Sequence, residues 1–78
     1  MAWKEIGGKL HRVFAFPDFS TALAFVNEIG ALAQEANHHP DIALSWGKVE
    51  VSLTTHDAGG VTAKDRDLAA RIDALYPK

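Results

Sequence analysis

Three histidines and one aspartate are the residues of this chain best suited to chemistry. His38 and His39 stand side by side before Pro40, and His56 and Asp65 follow later. Histidine exchanges a proton near neutral pH, so rings gathered round one cleft can act as acid and base. Such a set suits an elimination: one ring protonates a leaving hydroxyl while another removes a proton elsewhere. Each residue also has a plainer reading. His38 and His39 can be solvated residues that complement the dipole at a helix C-terminus. Asp65 can cap a helix N-terminus, and it can do so while orienting a histidine. Trp46 alone reads as core, His56 alone as surface, and His11, in mid-strand, receives no role. Neighbouring histidines point apart and no third ligand is fixed by spacing, so no metal site is assigned.

The elements that would carry these residues follow from periodicity. Trp3 to Ile6 reads as a short strand, Gly7-Gly8 as a hairpin turn, and Lys9 to Phe16 as a second strand. In that second strand Phe14 and Phe16 mark the core face, shared with Leu10 and Arg12. Pro17-Asp18 stops the strand, with Asp18 as N-cap, and a helix is predicted from Phe19 to Asn37. Ala22, Phe25, Val26, Ile29, Ala33 and Ala36 make its apolar stripe. Leu23 and Leu32 lie outside the stripe and suggest a second contact surface, such as a partner subunit. Pro40 ends the helical region, because it disfavours helical geometry at His39. Ile42 to Trp46 and Val49 to Thr55 read as strands joined at Gly47-Lys48. Thr62 and Asp65 open a last helix in a capping-box-like pattern, with Leu68, Ala69, Ile72, Leu75 and Tyr76 on its apolar side. The order is ββαββα. It predicts an α+β domain spanning residues 1–78, a four-stranded antiparallel sheet with two helices packed on one face.

The chain has 78 residues and no cysteine, so its small core has no disulfide to support it. Self-association is the expected remedy. The net charge is -2 with both signs scattered, which offers no basic stripe to nucleic acid. No apolar run approaches the roughly 20 residues that span a bilayer. The first residues, Met1 to Glu5, do not read as a secretion signal. The expectation is a soluble cytoplasmic protein with no membrane partner.

Spacing sharpens the reading. His38-His39-Pro40 is followed by five residues, Trp46, nine residues, His56, eight residues and Asp65. This pattern resembles the signature of pterin-4a-carbinolamine dehydratases. Trp3, the run from Phe14 to Phe19, Ala22, Phe25, the stretch Val49 to His56 and the Gly60-Val61-Thr62 turn also look like that family. The resemblance covers nearly the whole chain, without much of the N-terminal extension that some members carry. It implies an antiparallel four-stranded sheet with helices on one side, and homodimers or homotetramers. It also implies dehydration of 4a-hydroxytetrahydropterin to quinonoid dihydropterin, with no metal or organic cofactor. By that resemblance His38 and His56 serve as general acid and base, in either assignment. His39 binds and orients the pterin, Asp65 orients or polarises a histidine, and Trp46 shapes the pocket wall. Gln34, Pro40 and Thr55 count among the substrate contacts.

One position departs from the pattern. The family usually carries a charged residue, often Glu, four places before the first histidine, where this chain has Gln34. An amide forms hydrogen bonds but cannot ionise. Glu35 is adjacent but lies about 100° around the helix. The alternative to the enzyme is therefore a weakly active or non-catalytic pterin-binding or protein-interaction module of the same fold.

Overall fold

The computed structural model describes residues 2–76. Two antiparallel hairpins supply the sheet. β1 (Lys4–Ile6) turns through Gly7 and Gly8 into β2 (Lys9–Ala15). Both glycines have positive φ, 58° and 78°, the geometry a two-residue hairpin turn requires. β3 (Asp41–Ser45) turns through Trp46-Gly47 into β4 (Lys48–Leu53). The strand order is β1-β2-β4-β3, all antiparallel, so β4 pairs with β2 at the centre and β1 and β3 form the edges. The helices α1 (Phe19–Ala36) and α2 (Ala63–Leu75) pack against each other, and α1 covers β3 and β4.

Register puts the apolar alternation of three strands on one face. Leu10 lies opposite Leu53, Arg12 opposite Val51 and Phe14 opposite Val49, with Ile42 and Leu44 continuing the last two rows. The helices cover this face with Ala22, Phe25, Ile29 and Ala33 of α1 and Leu68, Ala69 and Ile72 of α2, all buried. Phe14 is the centre of an aromatic group, with Trp3 edge-on at 5.9 Å, Phe25 at 4.8 Å and Tyr76 edge-on at 5.0 Å between ring centroids. Arg12 is the one charged residue in the core-facing alternation of β2. Its guanidinium lies over the Phe14 ring at 4.3 Å and meets Asp73 Oδ1 at 2.5 Å, an oxygen that also accepts from Trp3 Nε1. The charge is thereby paired while the stem covers apolar surface.

Several boundaries differ from the sequence reading, each for a local reason. Trp3 precedes β1 and packs into the core. β2 ends at Ala15, and Phe16 instead donates its N–H to Gly47 O at 2.9 Å. Trp46 belongs to the turn and not to β3. β4 ends at Leu53, because the Thr54 hydroxyl bonds Gly8 O and the Thr55 backbone pairs with Gly60. α1 ends at Ala36, because Asn37 takes the left-handed conformation (φ 51°) and its N–H and that of His38 satisfy the last carbonyls. Leu32 packs against the core while Leu23 is exposed, so only Leu23 extends the apolar surface outward.

Gly47 is the tightest point of the second hairpin, since a Cβ there would lie 2.8 Å from Phe16 O. Gly47→Ala should destabilise the fold by about 1–3 kcal/mol through this overlap. Urea unfolding of the two proteins side by side checks it, and an unchanged midpoint would contradict it.

Candidate active site

The candidate site forms where three chain segments meet: the exit of α1, the exit of β4 and the start of α2. Its centre is Asp65, whose side chain has no solvent exposure. Asp65 sits at the third position of α2 and accepts the Thr62 N–H at 2.9 Å, one half of a capping box. The same oxygen, Oδ2, accepts the Thr55 hydroxyl at 2.7 Å, and the Thr55 and Thr62 hydroxyls are 2.8 Å apart. The other oxygen, Oδ1, faces His38 Nε2 at 2.5 Å.

Burial alone would push this carboxyl up. The hydrogen bonds from His38, Thr55 and the Thr62 backbone, together with the charge His38 can carry, outweigh burial and hold it below its ordinary value of 3.8. An ionised carboxylate only accepts, so His38 donates through Nε2–H and keeps Nδ1 free for proton exchange.

Asn37 fixes the paths of the two adjacent histidines. Its left-handed backbone ends the helix and sends His38 inward, to 15% side-chain exposure, while His39 stays exposed. His39 turns back over the last helical turn, and its Nε2 meets Gln34 Oε1 at 2.6 Å. Gln34 thus holds His39 and not the first histidine, and the amide oxygen fixes Nε2 as the donor. Glu35, next to Gln34, faces elsewhere and pairs with Arg71 at 3.6 Å.

His56 opens a 3-10 turn, His56–Ala58, that the Thr55–Gly60 bridge closes at its base. Its exposed ring makes no side-chain hydrogen bond to any described residue. His38, His39 and His56 all line one open, mainly polar cleft of about 410 Å³, with Asn37, Thr54, Thr55, Asp57 and Lys64 completing its walls. The structure therefore brings the three predicted histidines together, with Asp65 behind His38. Gln34 stands behind His39, and Pro40 does not line the cleft. Trp46 is 71% exposed in the β3–β4 turn and is not part of the cleft wall in the single chain. Lys64 was not singled out by the sequence reading. Its place beside Asp65 in the first turn of a capped helix was the available signal. Among the described residues no group of three His, Asp or Glu side chains is arranged to hold a metal ion.

Comparison with known proteins identifies the family and the fold. The family model described as pterin 4 alpha carbinolamine dehydratase matches residues 1–75. This chain belongs to that family. A relative from Thermosynechococcus vestitus, provisionally named a pterin-4-alpha-carbinolamine dehydratase, is 51% identical over 73 residues, covering 94% of this chain and 77% of the relative. One from Natronomonas pharaonis, with the same provisional name, is 49% identical over 74 residues, covering 95% and 80%. The crystal structure of a transcriptional coactivator/pterin dehydratase from Brucella melitensis superposes with a TM-score of 0.93 at 32% identity, covering 97% of this chain and 83% of that one. A pterin dehydratase-like protein identified as a RuBisCO assembly factor in the alpha-carboxysome superposes with a TM-score of 0.82, also at 32% identity, covering 96% and 89%.

Asp65 makes stability depend on acid. Its folded pKa is depressed, so its stabilising effect is present above the unfolded value and is lost as pH falls through the lower folded value. Unfolding free energy should therefore decline below about pH 4. Asp65→Ala, which strands His38 and the Thr62 N–H, should cost about 3–5 kcal/mol at pH 7. Denaturant titrations between pH 3 and 7 check both, and a variant as stable as the parent would contradict them.

Proposed function

We propose that this protein is a hydro-lyase that dehydrates 4a-hydroxytetrahydropterin to quinonoid dihydropterin, the step that returns an oxidised pterin to the tetrahydropterin cycle. The observation that carries the reading is a cleft with two differently held histidines on opposing segments, His38 backed by a buried carboxylate and His56 free. The C4a–O bond breaks as the adjacent ring nitrogen closes a C=N double bond. One histidine protonates the departing hydroxyl, so that it leaves as water, and the other takes the proton that the ring nitrogen loses. His38 exchanges its proton through Nδ1, because Asp65 holds Nε2–H. The assignment of acid and base between His38 and His56 is open to exchange. His39, steadied by Gln34, orients the pterin, and no metal or organic cofactor takes part. Family membership supports the substrate class.

A second reading rests on two observations. Gln34 replaces the usual charged residue, so His39 is held by a neutral amide, and one structural neighbour is described as an assembly factor. On this reading the fold binds a pterin or another protein without turnover.

The protein works as a homodimer or homotetramer in the cytoplasm. β3 is an edge strand, and Phe19, Leu23 and Trp46 are large exposed apolar side chains of the kind association would cover. The scattered charge gives nucleic acid no docking stripe.

Two measurements test this. With the carbinolamine generated in situ, the protein should accelerate dehydration over the spontaneous rate, and His38→Ala and His56→Ala should each lower that gain by about 10²–10⁴-fold. No acceleration by folded protein, with pterin still bound in an equilibrium assay, would favour the second reading. Light scattering should give two or four times the 8.5 kDa of one chain, and a monomer at micromolar concentration would rule out the oligomer.

A further inference from the structure

We infer that Thr55 is a positioning residue, whose hydroxyl ties the His56 turn to the His38–Asp65 pair and so sets the two proton-transfer histidines relative to each other. The inference rests on the proposed dehydration for its catalytic meaning, but its geometry stands apart from it. Thr55 is bound on both sides. Its backbone N–H and C=O pair with Gly60 at 3.0 and 3.3 Å, closing the turn that begins with His56. Its hydroxyl donates to Asp65 Oδ2 at 2.7 Å and lies 2.8 Å from the Thr62 hydroxyl.

No other side chain described here is adjacent to His56 in sequence and in hydrogen-bond contact with the carboxylate that holds His38. The hydroxyl is also spent on the buried wall. It has one proton to give, and Asp65 takes it. Thr55 therefore has no hydroxyl proton left to donate to a substrate, although it lines the cleft. Asp65 accepts through Oδ2 from the Thr55 hydroxyl, the Thr62 N–H and, at a long 3.5 Å, the Thr62 hydroxyl, and through Oδ1 it meets His38. Losing the short Thr55 bond thus leaves the carboxylate freer to rotate away from His38.

The alternatives make different demands. A substrate contact at Thr55 would show chiefly in KM. A purely structural hydroxyl would alter stability and leave the pH profile alone. A positioning hydroxyl acts on kcat and on the ionisation of Asp65. The other ionisable groups around His38 are His39, His56, Asp57 and Lys64 along the cleft, and Glu35, Asp67 and Arg71 on its far side. None of these groups is itself removed when Thr55 is changed and none bonds Asp65 other than through His38, so a moved acid limb together with a changed His38 resonance reports the Asp65–His38 pair.

The experiment compares the full chain with Thr55→Val, Thr55→Ala and Thr55→Ser. The readouts are the dehydration rate across pH and the proton resonance of the His38 Nε2–H. Removing the hydroxyl removes a bond that favours ionised Asp65, so the acid limb should move to higher pH. Val and Ala should lower kcat about tenfold, as for one lost hydrogen bond to a charged group, with KM within about twofold. The His38 ring proton should shift or broaden by exchange. Ser, which keeps the hydroxyl, should restore all three. Ala carries the test if Val fails to fold. An unmoved acid limb and an unchanged His38 resonance in the hydroxyl-free variants would overturn the inference, as would a Ser variant that behaves like Val. If the parent shows no turnover, the dehydratase reading fails, and the His38 resonance alone decides the role of Thr55.

Discussion

A carboxylate removed from water must be answered by donors on every side, and Asp65 is answered from three segments at once. Thr62 meets it from its own helix, Thr55 from the end of β4 and His38 from the end of α1. Leaving such a group unpaired costs several kcal/mol, a large share of the stability of so small a domain. The demand therefore acts as a geometric constraint. It ties together the start of α2, the end of β4 and the exit of α1. The cleft is the outer surface of that joint.

The opposite end of the molecule is tied in a related way with different chemistry. Asp73, near the end of α2, gathers the Trp3 indole and the Arg12 guanidinium, and Tyr76 donates its hydroxyl to Ala15 O. α2 is thus anchored to the sheet at both ends by a carboxylate. Between the anchors it contributes buried Leu68, Ala69 and Ile72. The site end differs in that its partner is a histidine that also faces the cleft. A residue that closes the fold and a residue proposed to exchange protons share one short bond.

Much of this was legible in the sequence, because burial on one face imposes a period. Leu10 and Phe14, then Val49, Val51 and Leu53, announced strands, and Ala22, Phe25, Ile29 and Ala33 announced a helix. The cap at Thr62 and Asp65 was visible from spacing, as was the divergence of His38 and His39 before a proline. What could not be read depended on tertiary contact. Trp46 has the composition of a core residue, and only the register of the β3–β4 hairpin makes it an exposed turn. Gln34 lies four residues before His38, the spacing of a helical contact, yet the left-handed Asn37 breaks that register and delivers His39 to it instead. Thr55 read as an alternating strand residue and, by resemblance, as a substrate contact, because nothing local signals that its hydroxyl ends on a carboxylate ten residues away.

The double duty of Asp65 separates two kinds of selective pressure. Any descendant of this fold needs an acceptor at that point to start α2 and to satisfy Thr55 and Thr62, whether or not it turns over a substrate. Drift after loss of catalysis would leave Asp65 in place and, through it, a paired His38. His56 carries no such obligation, since its ring bonds to no described residue and its turn is closed by backbone alone. It is the position where purifying selection for chemistry would be visible, and where its relaxation would first leave a trace.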